Sequence, residues 1–378
     1  RITASGGNLA SVNGTVTLGF APGQNIQSTA GAALVDTSVT GTNEPTYTLD
    51  NTAPTVSIAG PAGPVQGQFT VTITFSEAVS GFASNEITLS NATLGSFSGS
   101  GTTYTANVTP SGDGTVTVDV GAGVASDSVG NGNTAATQYS VTADGTAPRV
   151  ASIERQTPAT SPTNANSVIW RVTFSETVSN VDVGDFTVSG TTATVTNVSN
   201  PSGNSWDVTV SGGDLAVMNG TITLGLAGGQ NISDTAGNAL TNTTPTGTNN
   251  NSFIIDNIAP ALTAFARNTP AGEKTNADTL VFDISFNEAV ANVSADDFTI
   301  TGTTATGVLA GSGSAYTLTL SGGNLASYNG IVGLNLAAGQ NITDTAGNAL
   351  PAGEPGTDQS YDVRNTAPAL ASITRSTP

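Results

Sequence analysis

Along residues 69–75 every second side chain is apolar: Phe69, Val71, Ile73 and Phe75 alternate with Thr70, Thr72 and Thr74. The same alternation returns as Val168, Trp170, Val172 and Phe174, and again as Leu280, Phe282, Ile284 and Phe286. A period of two places one set of side chains on a core and the other in water, so each run predicts a half-buried β-strand. A later strand follows the same rule: Val116, Val118 and Val120; Ile222, Leu224 and Leu226; Val332, Leu334 and Leu336; and near the start Val16, Leu18 and Phe20. Nothing sustains a period of 3.6. Between residues 147 and 258 the runs separated by Gly, Asn, Ser and Pro clusters predict seven strands, near 149–153, 168–174, 185–189, 192–198, 205–210, 221–226 and 251–256. Seven short antiparallel strands in about 100 residues make an immunoglobulin-like sandwich. An odd strand number sends the chain in at one end and out at the other. The expected architecture is therefore all-β, with tandem seven-stranded sandwiches arranged end to end as a rod.

Self-comparison supplies the boundaries. DNTAP at 50–54 returns as DGTAP at 144–148, DNIAP at 256–260 and RNTAP at 364–368, spaced by 94, 112 and 108 residues. Two further strings travel with it: TFSEAV, TFSETV and SFNEAV at 74–79, 173–178 and 285–290, and Asp-x-x-Gly-Asn at 127–131, 234–238 and 344–348. Periods this long indicate independent domains rather than solenoid coils. The division is 1–52, the C-terminal half of a repeat; 53–146, 147–258 and 259–366, three complete repeats; and 367–378, the first strand of a further one. Neither end piece can bury a core alone, so the chain reads as a window on a longer array.

Composition narrows the function. The chain has 378 residues, 27 Asp and Glu against 8 Lys and Arg, a net charge of −19, and neither His nor Cys. The charge argues against nucleic acid as a partner. Without His or Cys there are no Ser-His-Asp or Cys-His catalytic groups, no disulfides and no nitrogen or sulfur metal ligands, so any metal must be held by oxygen. A long Cys-free, acidic, Thr-rich chain fits an exported bacterial surface protein. No run of eighteen apolar residues and no basic-then-apolar start occurs, which predicts neither membrane insertion nor a signal peptide in this segment.

Taken together, DNTAP, FSEAV and DTAGNAL resemble the bacterial Ig-like repeats of giant surface adhesins, both the biofilm-associated-protein type and the extender regions of RTX adhesins exported by type I secretion. The resemblance covers the whole chain. It implies non-catalytic stalk modules, often stiffened by Ca²⁺ at domain junctions, with the ligand-binding head elsewhere. The implied setting is the bacterial cell surface or biofilm matrix. The implied partners are neighbouring repeats of the same chain and matrix or cell-surface components.

Topology adds a prediction about the acids. In such a sandwich the end of strand two, the loop after it, the loop between strands six and seven, and the incoming linker all meet at the entry end. They carry Asp50, Glu77, Glu86 and Asp127; Asp144, Glu176, Asp185 and Asp234; and Asp256, Glu288, Asp297 and Asp344. The second and third members of each set are nine residues apart in all three copies. Converging carboxylates repel unless a cation neutralises them, and 6–8 oxygens at about 2.3–2.6 Å suit Ca²⁺ better than Mg²⁺. Taken singly, each acid has an ordinary reading as a turn former or a solvated strand end. Two departures stand out: Ser28 replaces the loop Asp at 28–32, and Arg364 replaces the last linker Asp.

Other features carry less. Tyr104, Trp206 and Tyr316 share one strand column and are expected in the core. Asn-x-Ser/Thr triplets follow from composition. Gly-rich pieces such as 211–213 and 228–230 lack a P-loop Lys, and Lys274 is the only Lys. Two alternatives to a stalk remain: a self-assembling surface-layer or filament subunit, and a carbohydrate-acting accessory module using paired carboxylates. An active site occurs once per chain, whereas these carboxylates recur in every repeat, which favours the stalk.

Overall fold

The computed structural model describes residues 2–39, 41 and 45–376; the parts of the two predicted end pieces at 1, 40, 42–44, 377 and 378 lie outside the described residues. The described chain is built of strands and single-turn 3-10 helices. It divides into two compact units, Arg1–Ala147 with Ser233–Ala239, and Pro148–Ile232 with Leu240–Pro378. Among the described residues no helix is long and apolar enough to cross a membrane.

The alternating runs form the central strands. Val168, Trp170 and Val172 are fully buried in strand Ser167–Phe174, and Leu280, Phe282 and Ile284 in strand Thr279–Ala291. β-branched and aromatic side chains at every second position suit a pleated surface with one wet face, which is why these segments extend rather than coil.

In repeat 147–258 seven principal strands make two sheets. Thr194–Ser202, Ser205–Ser211, Ser167–Phe174 and Val150–Thr157 lie side by side in that order, and Phe186–Ser189, Gly220–Leu226 and Ser252–Ile255 form the facing sheet. Numbered along the chain, the orders are 4-5-2-1 and 3-6-7, the pairing of an immunoglobulin constant-type sandwich. The all-β, tandem immunoglobulin-like fold is thus visible in the strand order. Two-residue strands also occur outside this scheme, such as Thr343–Asp344, which pairs with Val290 and Ala291 in the following repeat. They were missed because two residues are too few to display a period.

The flanking repeats use the same order with merged strands. Ala92–Pro110 and Thr306–Ser321 each fold back as a hairpin that supplies strands four and five. Three separate apolar cores result, one spanning Val56–Ala143, one Val150–Ile255 and one Phe265–Val363. Tyr104 and Tyr316 are buried, each donating its hydroxyl to a backbone carbonyl (Val79 and Val290), and Trp206 packs half-buried against the central core.

Among the described residues, strands Gly14–Thr17 and Thr46–Leu49 pair only with each other. Leu18 and Phe20, whose counterparts Leu334 and Leu336 are buried and partly buried, are 53% and 52% exposed because no facing sheet among the described residues covers them. Residues 367–376, read as a first strand, carry no strand at all. The second strand against which such a segment would pair is not among the described residues.

Candidate metal centres

Each Asp-x-x-Gly-Asn string folds around its own Asp. Asp344 Oδ1 accepts the backbone N–H groups of Ala346, Gly347 and Asn348 at 2.8, 2.7 and 2.8 Å, and Oδ2 accepts Asn348 Nδ2 at 2.8 Å. Asp127 does the same with Val129, Gly130 and Asn131 at 2.9, 2.7 and 2.9 Å. Asp234 accepts from Ala236 and Asn238, both at 2.8 Å. These carboxylates are buried yet satisfied, as a buried charge requires. Burial raises the cost of ionising Asp127, but the hydrogen bonds from Asn131, Val129 and Gly130 outweigh it and hold the group below the usual carboxylate range. The loop needs its Gly: Gly130, Gly237 and Gly347 have φ of 103°, 94° and 100°.

In the first unit Asp127 meets Asp50 and Glu77, and in the second Asp344 meets Asp256 and Glu288; within each trio one carboxylate oxygen per residue lies within 4.8 Å of the others. Both trios draw on the linker, the end of strand two and the six-to-seven loop. Burial, followed by the charges of Asp344 and Asp256, pushes Glu288 above the ordinary glutamate value, while a hydrogen bond from Asn287 opposes the shift. Such mutual repulsion in an all-oxygen donor set is what a hard divalent cation relieves, so the residues present fit one. Of the middle set, Asp144 and Asp234 lie together in the first unit, and Glu176 belongs to the second.

The third column is a correction. Glu86, Asp185 and Asp297 do not join these groups. The nine-residue spacing carries the chain across to the other sheet, where the acid ends a 3-10 turn: Ser84–Glu86, Val183–Asp185 or Ala295–Asp297. Asp185 Oδ2 accepts the Asp182 N–H at 2.7 Å, and Asp297 Oδ2 the Ser294 N–H at 2.7 Å, each completing a capping box. Asp185 Oδ1 also ties in Asn231 N–H at 3.2 Å. Glu86 is half-buried and accepts Asn85 Nδ2 at 2.9 Å. A strict spacing between two acids thus encoded a turn.

The Asn that closes each Asp-x-x-Gly-Asn string does more than form a turn. Asn131, Asn238 and Asn348 each donate Nδ2 to a linker carbonyl, of Asp50, Asp144 and Asp256, at 2.9, 2.8 and 2.8 Å. Their signal was recurrence beside the acids. Arg364, where the other linkers carry Asp, lies 63% exposed on Asp362, with Nη2 to Oδ2 at 2.6 Å.

With this geometry in place, comparison with known proteins is informative for one segment. Residues 50–143 match the bacterial Ig-like domain family. No curated protein matches the chain. Among solved structures, invasin, a bacterial integrin-binding protein, is 11% identical over 83% of this chain and 60% of its own, with a TM-score of 0.32. An endo-fucoidan hydrolase of glycoside hydrolase family 107 is 14% identical over 81% of this chain and 43% of its own, at 0.20. A titin Ig tandem is 10% identical over 46% and 90%, at 0.17. The chain therefore spans less than two thirds of the invasin and hydrolase chains.

Proposed function

We propose that this chain is a non-catalytic stalk segment of a bacterial surface adhesin or biofilm matrix protein, placed outside the cell and stiffened by Ca²⁺ at its repeat junctions. The observation that carries the reading is repetition: the trios Asp50, Glu77, Asp127 and Asp256, Glu288, Asp344 bring the same three elements together in repeats 53–146 and 259–366. Chemistry on a substrate needs one site, whereas a length-bearing array needs the same joint many times. The match of residues 50–143 to a bacterial Ig-like domain supports the setting.

In this reading Asp256, Glu288 and Asp344, and their counterparts Asp50, Glu77 and Asp127, hold the ion. Bound there, it supplies neutralising charge and a cross-link from linker to loop. Its partners are neighbouring repeats and matrix or cell-surface components. Small-angle scattering of the intact chain with Ca²⁺ and then with chelator tests the reading. A longer, less variable particle with Ca²⁺ is expected, and superimposable profiles would overturn it.

A further inference from the structure

We infer that the linker between repeats 147–258 and 259–366 is fastened from both sides by an amide latch that holds without metal. This goes beyond the calcium reading, because the latch uses different atoms and different chemistry.

The preceding repeat grips Asn257. Its backbone N–H donates to Asn219 Oδ1 at 2.7 Å, and its Nδ2 donates to the carbonyls of Leu215 and Met218 at 3.0 and 2.7 Å. The following repeat grips the neighbouring residues. Asn348 Nδ2 donates to the carbonyls of Asp256 and Ile258 at 2.8 and 3.2 Å. Asn348 also accepts, through Oδ1, Asn164 Nδ2 at 3.2 Å, and Asn164 N–H donates to Ala346 carbonyl at 3.1 Å. Three consecutive linker residues are thus held by side chains or carbonyls of two different sandwiches. The groups that bind the linker itself are amides and carbonyls, which do not titrate, while Asn348 is in turn seated on the Asp344 carboxylate, its Nδ2 donating to Oδ2 at 2.8 Å.

The arrangement recurs in the first unit. Asn51 N–H donates to Asn13 Oδ1 at 2.5 Å, Asn51 Nδ2 donates to the carbonyls of Leu9 and Val12 at 3.2 and 2.8 Å, and Asn131 holds Asp50 from the other side. The linker at 144–148 shows that the grip itself is retained when its parts change. There Gly145 replaces the Asn, and the turn that would have received it is shortened to Ser-Gly-Asp-Gly at 111–114. Asp113 takes over, accepting Gly145 N–H at 2.7 Å and the Thr146 hydroxyl. Two different chemistries fulfil one task, which points to the holding of the linker rather than to a by-product of turn formation. The loop Ser233–Ala239, which carries Asn238, accordingly groups with the first unit although its sequence lies within the next repeat.

The chain contains no Cys, so paired spin labels can be placed cleanly at Thr187→Cys and Thr299→Cys, two exposed strand positions, one in each repeat. Distance distributions are recorded on the full chain in chelator, for the parent and for Asn257→Asp and Asn348→Ala. Asn257→Asp keeps the shape but removes two donors in a linker outside both cores. Thermal unfolding of each variant confirms that the cores are intact. The latch predicts that in chelator the parent distribution is narrower than that of either variant. A parent distribution as broad in chelator as that of the variants would overturn it, and so would variants as narrow as the parent.

Discussion

At the scale of single residues the joint between repeats concentrates on the loop Asp344 to Asn348. Gly347 sits at φ 100°, and an added Cβ would meet Asn164 at 3.4 Å. Gly347→Ala should therefore cost about 1–3 kcal/mol, the usual range for non-Gly strain, read as a lower midpoint in denaturant unfolding. Glu288 gives a pH signature. Its folded-state pKa is raised by burial and by Asp344 and Asp256, so in chelator its contribution is most favourable at acid pH and is lost as pH rises through the raised value. Glu288→Gln should accordingly melt higher than the parent at neutral pH without divalent ions, and the two should converge below the ordinary carboxylate range. Asp127 runs the other way: its lowered value adds stability above the ordinary range that is lost as pH falls through the folded value. The proximity of Asp256, Glu288 and Asp344 was legible in the sequence because topology alone sends their three segments to one end. Asp185 and Asp297 were misread because a capping box also fixes acid spacing, and Asn257 and Asn348 were marked by their recurring strings while the carbonyls they hold, Leu215 at 42 and Asp256 at 92 residues away, were not.

At the scale of elements, the strands that alternate over seven or more residues were readable, since burial of one face and solvation of the other leave a direct trace. Trp170, at the centre of the second strand of its repeat, packs edge-on against Phe253 from the facing sheet with centroids 4.9 Å apart. Trp170→Ala should cost about 3–5 kcal/mol, whereas Thr221→Ala on the exposed start of a strand should stay within about 0.5 kcal/mol, both measured by denaturant unfolding. The 3-10 turns and two-residue strands left no such trace. Their geometry is dictated by side-chain hydrogen bonds and by partners distant in sequence, as with Thr343–Asp344 against Val290 and Ala291. Residues 367–376 match a first strand in sequence but form none, because strand formation depends on a neighbour as much as on propensity.

At the scale of the whole molecule the repeated sandwich with its repeated joint is the organising feature, and the stalk reading rests on calcium acting at that joint. Binding only to the ordered trios would add about 2.7 kcal/mol at free Ca²⁺ a hundredfold above Kd. The most direct measurement is calorimetric titration of the intact chain with Ca²⁺, alongside Glu288→Gln and with Mg²⁺ as comparison. The account predicts saturable Ca²⁺ binding, loss of one site in Glu288→Gln, and weaker binding of Mg²⁺. Absence of Ca²⁺ binding, or an unchanged number of sites in Glu288→Gln, would contradict it.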